Sequence, residues 1–504
     1  FPTRRSSDLV TWLTGKPSKI YYTREETMIA GSARHEMEVT VKLGAMKDGT
    51  IRAIEVHALS NTGAYGEHGP TTIGLVGHKS IPLYSGKYEA FRFVANTVYS
   101  NHPSAGAYRG YGATQGVFAM ENTVNLMAYK LGIDPVKIRE HNMLHEGDIM
   151  TAYNNETANA CALDQCMARC KEMMDWDSKF PAKTLPNGHI RSVGVAMAMQ
   201  GSCISFVDEA NVTIKMNDDG FYSLLVGSTD MGTGSDTILA QMAADVLECD
   251  LDDVVTYGVD TDTSPYDSGS YASSTTYLTG NAVVKAAEQL RQNITEQAAK
   301  RLECPKDEVA FDGKILTCVS TGSSITLKEL ANQLQGGTEG WQSVTAGGNS
   351  PVSPPPYMVG MAEIDVDPET GKVVPIKYTA CVDCGTVVNP NLARVQTEGG
   401  LMQGLGMALY EGQNYNGTGF NRMRNLMQYK IPTRMDIPEI EVDFRQSYEP
   451  TGPFGAKSIG EIVINTPSPA IAHAIFNATG VMHHELPIMP EHVWRGIQEK
   501  KQQG

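Results

Sequence analysis

Ala107-Tyr-Arg-Gly-Tyr-Gly-Ala-Thr114 runs straight into Gln115-Gly-Val-Phe-Ala-Met120, and the join between these two stretches decides how the chain folds. The first stretch is broken by glycine. The second begins a series of apolar residues at helical intervals: Val117, Met120, Val124, Met127, Ala128 and Leu131. That spacing predicts a helix from Thr114 to Leu131, with Thr114 as N-cap and Gly132 as stop. A second helix is expected from Pro135 to about Met143. Upstream, residues 37–59 alternate polar and apolar around Met46-Lys-Asp-Gly-Thr50, which predicts a β-hairpin with an Asp-Gly turn. Residues 86–100 read as a further strand. Downstream, strands are expected at 192–200 and 210–227, the latter around the turn Asn217-Asp-Asp-Gly220. Helices follow at 235–248 and 281–300, and a Gly/Pro-rich loop at 345–357. Strands at 358–366 and 372–383 flank Asp367-Pro-Glu-Thr-Gly371, and helices at 396–410, 468–477 and 490–501 end the reading. Hairpins mixed with separate helices predict an α+β fold. The polar, irregular stretch 146–190 is the expected domain boundary.

The bulk properties exclude several classes. Asp and Glu outnumber Lys and Arg by 57 to 41, a net charge of −16, so wrapping nucleic acid or lying on an anionic membrane is not expected. No run of 18 apolar residues suggests a membrane span. Nine cysteines scattered over 504 residues fit a reducing, cytoplasmic setting better than a disulfide framework. Residues 1–9 (Phe-Pro-Thr-Arg-Arg-Ser-Ser-Asp-Leu) lack an apolar signal core and read as translated adaptor sequence, foreign to the fold.

Two further segments repeat the loop-into-helix design: Gly227-Ser-Thr-Asp-Met-Gly-Thr-Gly-Ser235, and Ser268-Gly-Ser-Tyr-Ala-Ser-Ser-Thr-Thr276 leading to Gly280. Glycine lets backbone approach a ligand closely, and helix N-termini offer free N–H groups to anionic or polar ligands. Any one such loop is ordinarily a cap. Three together predict a large polar ligand with an anionic part, held by backbone. The dinucleotide fingerprint is not matched: Gly110 and Gly112 lead to Gly116 at the wrong spacing, and Gly232 and Gly234 lack a third glycine.

Five segments in order carry a resemblance. They are Ala107–Gly112 with Gln115; Thr229-Asp-Met-Gly-Thr-Gly234; Val382-Asp-Cys-Gly-Thr-Val-Val-Asn-Pro390; Gln396-Thr-Glu-Gly-Gly400 with Gln403-Gly-Leu-Gly406; and Lys457-Ser-Ile-Gly-Glu461. Together they resemble the molybdenum-binding large subunit of the xanthine dehydrogenase and aldehyde oxidase family, from about residue 10 to about 480. The resemblance implies two α+β domains clasping a molybdenum–pterin cofactor, with residues 10–150 as the C-terminal half of the first and 165–495 as the second. The family's Gly-Gly-Gly-Phe-Gly loop would lie upstream of residue 10, so the chain is expected to begin part-way through the first domain.

Residue by residue, the resemblance makes Glu461 the catalytic base. The apolar run Ile462-Val-Ile464 beside it predicts a raised pKa suited to that task. Arg109 and Ala272 would stand beside the metal without ligating it through side chains. Gly110, Gln115, Gly232, Thr233, Gly234, Ser273, Ser274, Thr275, Gln396 and Lys457 would contact the cofactor, Thr233 replacing the family's Gln. Tyr111 and Met197 would sandwich the substrate. The cofactor would be molybdenum–molybdopterin, in its simple or cytosine dinucleotide form. Iron–sulfur and FAD centres would sit on partner subunits, making a hetero-oligomer. The implied reaction is hydroxylation of a xanthine- or purine-like N-heterocycle, with oxygen from water. An aldehyde oxidase, an aromatic-acyl-CoA reductase and a noncatalytic pterin-binding remnant are the alternatives. Gly110 stands where carbon monoxide dehydrogenases carry a Cys, which disfavours that chemistry. The Arg that orients xanthine is expected near Gly77, where only His78 and Lys79 offer a charge.

Bland readings suffice elsewhere. Cys161, Cys166 and Cys170 have helical spacing and are expected to be structural, as are Cys381-Val-Asp-Cys384 and His483-His484. The Met-rich stretches 196–199 and 423–427 are expected in the core.

Overall fold

The computed structural model describes residues 2–503, with side chains from residue 7 to residue 502. The stretch 1–9 lies partly outside the described residues, and its described part belongs to a helix, Pro2–Thr14.

The expected hairpin forms: Glu36–Ala45 pairs antiparallel with Ile51–Asn61, and Ala90–Val98 adds in parallel to complete a three-stranded sheet. The helix Ala113–Leu131 packs against this sheet and against Gly69–His78. It stops where expected, at Gly132 in the left-handed conformation. Its start differs from the expectation. Gly112, not Thr114, is the N-cap, at φ 89°. A Cβ there would lie 2.0 Å from the Thr72 carbonyl oxygen, so the close approach of Gly69–His78 demands glycine. That helix, with three glycines among ten residues, gave no periodic signal.

The second lobe holds two larger sheets. In the five-stranded sheet, Glu439–Phe444, Val373–Asp383, Tyr357–Val366, Ile190–Met199 and Lys183–Thr184 follow in that order. In the four-stranded sheet, Val254–Gly258, Tyr222–Val226, Glu209–Met216 and Ser343–Asn349 are neighbours. Ser235–Leu247 and Gly280–Leu302 cover the four-stranded sheet and share its core. Pro467–Thr479 and Leu163–Met174 cover the five-stranded sheet. The stretch 146–190 is therefore not simply irregular: Cys166, Met167, Cys170, Met173 and Met174 line the buried face of Leu163–Met174. Pro390–Leu409 starts earlier than expected, because the Asn389 side chain accepts from Leu392 N at 3.1 Å and Pro390 takes the first turn.

A single apolar core runs from the first lobe into the five-stranded sheet, and one buried carboxylate ties the two together. Glu121, on Ala113–Leu131, is fully buried. It accepts from Arg139 Nε at 2.9 Å, from the Tyr84 hydroxyl, and from the backbone N–H of Met197 in the second lobe at 2.7 Å. Removing one member of a buried pair leaves an uncompensated charge. Glu121→Ala is expected to cost about 3–5 kcal/mol in denaturant unfolding. Glu121→Ala combined with Arg139→Met should recover a substantial part of that loss.

Candidate active site

Glu461 sits where three segments meet. It immediately precedes a short turn of helix, Ile462–Ile464, whose three side chains are buried as their sequence predicts. Its carboxylate accepts from the Gly110 N–H at 3.1 Å and from the Ser273 hydroxyl at 3.2 Å. It is only part-buried and keeps some accessible surface. Burial pushes its pKa above the ordinary carboxylate range; the Gly110 N–H, Ser273, Gln200 and the Arg109 charge pull the other way without cancelling it.

Arg109 reaches across to this segment from the first lobe. Its Nε donates to the Gly460 carbonyl at 2.5 Å. One terminal nitrogen donates to Gln403 Oε1 at 2.9 Å, and the other to the carbonyl and Oε1 of Gln396 at 3.2 and 3.1 Å. Gln396 and Gln403 lie seven residues apart on Pro390–Leu409 and so share one helix face. Gly110 has no room for a side chain: at φ 91° its Cβ would meet Thr114 Oγ1 at 2.2 Å. Its carbonyl accepts from Gln200 Nε2 at 3.2 Å. Tyr111 follows at φ 38°, its hydroxyl 2.6 Å from His68 Nδ1. The third segment is strained. Ala272 and Ser273 hold φ 45° and 65°, in the left-handed region that residues with a Cβ rarely enter. A π-helical turn, Thr275–Thr279, then leads into Gly280–Leu302. Ser274 Oγ donates to the Gly269 carbonyl at 3.0 Å, and Thr275 Oγ1 lies 2.7 Å from Ser270 Oγ.

The structure thus gathers Arg109, Gly110, Tyr111, Ala272, Ser273, Gln396 and Glu461. Gln200 and Gln403 join them, although the sequence reading assigned them no role. Lys457 does not join: its ammonium is fully buried on Asp383 Oδ2 at 2.9 Å and the Ala160 carbonyl at 3.0 Å, a structural ion pair. Met197 is wholly enclosed in Ile190–Met199 and has no accessible surface to offer a substrate. Gln115 donates to the His35 carbonyl at 3.0 Å, and its Oε1 has no protein partner. Lys79 is buried against Tyr153, donating to its hydroxyl at 2.7 Å, and burial lowers its pKa to about 7. The cysteines are free thiols. Among the described residues no cluster of three or more His, Cys, Asp or Glu could hold a metal ion.

The loop before Ser235–Leu247 departs from the expectation of free N–H groups. One Asp230 oxygen accepts from the N–H groups of Gly232, Thr233 and Gly234 at 2.8, 2.9 and 3.2 Å, and the other from Asp236 N at 3.3 Å. Several buried polar atoms on these segments, however, have no protein partner: Gln200 Oε1, whose amide nitrogen donates to Gly110, and the hydroxyls of Ser228 and Ser235 on either side of the Asp230 turn. A Cβ on Gly232 or Gly399 would meet nothing within 4 Å. Unpaired donors and acceptors beside open glycine backbone fit a large polar ligand.

A carboxyl group whose pKa is raised by folding loses stability as pH rises through the ordinary carboxylate range, because the unfolded chain ionises more readily. Glu461→Gln is therefore expected to raise the melting temperature at neutral pH. The gain should vanish as pH falls below that range, as read by thermal unfolding across pH.

Family models described as molybdopterin cofactor-binding domains match residues 7–143 and 169–438. The chain is 38% identical to "Probable hypoxanthine oxidase XdhD" of Escherichia coli (strain K12), over 97% of this chain and 52% of that protein. It is 33% identical to "Xanthine dehydrogenase molybdenum-binding subunit" of Escherichia coli O157:H7, over 96% and 65%. It therefore spans about half to two thirds of the length of these relatives. Quinoline 2-oxidoreductase from Pseudomonas putida 86 superposes with a TM-score of 0.89 at 23% identity, over 97% of this chain and 66% of that one; that likeness speaks to the fold. With both domain models matched over most of its length, the chain belongs to the molybdopterin-binding large subunits of the xanthine dehydrogenase family.

Proposed function

We propose that residues 10–150 and 165–495 are the parts of two cofactor-binding domains that carry the base of a molybdenum hydroxylase. In this reading the full-length protein hydroxylates an N-heterocycle of the xanthine or purine type with oxygen from water. The observation that carries it is Glu461: a carboxyl raised by burial, aimed by a backbone N–H and a hydroxyl, at the junction of three segments. The cofactor, when bound, supplies a two-electron redox centre. Ser273, Ser274, Thr275, Gln396 and the Gly232–Gly234 loop would hold it. Glu461 takes the proton released as water's oxygen is added to the ring carbon. Gly110 and Ser273 hold the carboxylate in one orientation, and Arg109 stabilises its charged form. Tyr111, pinned by His68, offers an aromatic face to a planar ring.

The names of the hypoxanthine- and xanthine-type relatives support the heterocycle. One observation favours the aldehyde reading instead: Lys79, near the place expected for an orienting cation, is turned onto Tyr153. An aldehyde needs no such cation. In this reading the two electrons leave through iron–sulfur and FAD centres on partner subunits. A cytoplasmic setting suits nine free thiols, and no described helix is long and apolar enough to cross a membrane.

In the full-length protein with its partners, Glu461→Gln should retain molybdenum by elemental analysis and lose turnover about 10²–10⁴-fold, as expected for a general base. Full turnover overturns the reading. Pterin without molybdenum in the unmutated protein points to a noncatalytic remnant. A panel of N-heterocycles and aldehydes with a dye acceptor separates the two substrate classes.

A further inference from the structure

Arg34 lies outside every motif discussed above, yet it grips the loop that serves Glu461 at three points. One terminal nitrogen donates to the Arg109 carbonyl at 2.7 Å. The other donates to Thr114 Oγ1 at 3.0 Å. Its guanidinium carbon lies 4.4 Å from the centroid of the Tyr108 ring. These are neutral groups, an unusual set of hydrogen-bond partners for a part-buried guanidinium.

The Arg109 carbonyl and the Gly110 N–H belong to one peptide unit, which is planar and trans-directed, so the two groups point opposite ways. Arg34 is bound on the carbonyl side and the Glu461 carboxylate on the N–H side. A cation on the carbonyl draws electron density towards the oxygen and makes the N–H a stronger donor, as hydrogen-bond chains do in low dielectric. The second prong works on geometry. Thr114 Oγ1 fills the space where a Gly110 side chain would be, so fixing that hydroxyl fixes the pocket in which Gly110 turns.

We propose that Arg34 is a positioning residue for Glu461, orienting and polarising the Gly110 N–H through the Arg109–Gly110 peptide. The proposal rests on Glu461 being the base. Other groups face the two ends of this chain and remain in any Arg34 variant. Arg109, Lys79 and Tyr111 act on Glu461. Tyr108, Glu461 itself, Tyr429 and Glu411 act on Arg34, so the Arg34 charge also reaches Glu461 directly across space, and exchange at Gly110 is the readout specific to the peptide.

The test uses the full-length protein with its partners and two variants. Arg34→Met removes charge and fork; Arg34→Lys keeps the charge and loses the two-pronged geometry. Two readouts are taken: the acid limb of the kcat/KM–pH profile, and hydrogen exchange of the amides of Gly110 and Tyr111. A base must be ionised, and losing a cation and a strong donor raises its pKa. In Arg34→Met the acid limb should move up by about one pH unit, and exchange at Gly110 should accelerate at least tenfold. In Arg34→Lys exchange should accelerate while the acid limb stays closer to the unmutated enzyme. If Arg34→Met fails to fold, Arg34→Lys still decides: unchanged exchange at Gly110 overturns the proposal. So does an unmoved acid limb in a folded Arg34→Met. Should Glu461→Gln itself stay active, it is the reading of Glu461 that fails, not the geometry of the Arg34 grip.

Discussion

The Arg109 guanidinium is the interaction on which the rest of the site depends. It leaves a first-lobe loop and ends on four oxygen atoms of the second lobe. With the Gly110 N–H bond to the Glu461 carboxylate, it holds the loop carrying Gly110 and the segment carrying Glu461 in register. Its fork suits the task, because one planar cation with five N–H groups can satisfy two backbone carbonyls and two glutamine side-chain oxygens at once, one acceptor more than an ammonium has donors. Burial disfavours its charge, but an arginine stays ionised, so the site holds a permanent positive charge beside Glu461.

Behind this clasp lies the carboxylate of Glu121, which fastens the helix after the Arg109 loop to a strand of the second lobe. The loop is thus held at both ends: by Glu121 one helical stretch downstream and by Arg109 at its tip. Glycines make this possible where backbones nearly touch. Gly116 is one; a Cβ there would stand 2.2 Å from the Val76 carbonyl oxygen.

Much of this was legible in the sequence, for identifiable reasons. The helix Ala113–Leu131 was visible because one face is buried and its apolar residues recur at the helical period. Glu461 was singled out through the resemblance of Lys457–Glu461 to the family's motif; the apolar run after it indicated only its burial. Gln200 went unassigned because a lone glutamine has no periodic or spacing signature, and Gln403, although it stands in a recognised motif, because its role appears only when the distant Arg109 loop reaches it. Lys457 was misplaced for the converse reason. It belongs to a motif, but Asp383, which neutralises it, is 74 residues away in sequence. Leu163–Met174 was missed within a polar stretch, although its cysteine spacing was already helical. The positive φ of Ala272 and Ser273 left no trace, since neither residue is one that favours that conformation.

The Asp230 turn has a further consequence. Its carboxylate occupies the backbone donors that the glycine pattern offers to an incoming anion. Being tethered to the same loop, it competes at an effective concentration that a free phosphate could not match. The loop is therefore preorganised without a guest, and its ordering entropy is settled during folding. It is also selective: a ligand earns a place there by engaging the neighbouring hydroxyls and open glycine faces, or by displacing a resident carboxylate. Charge alone would not admit it.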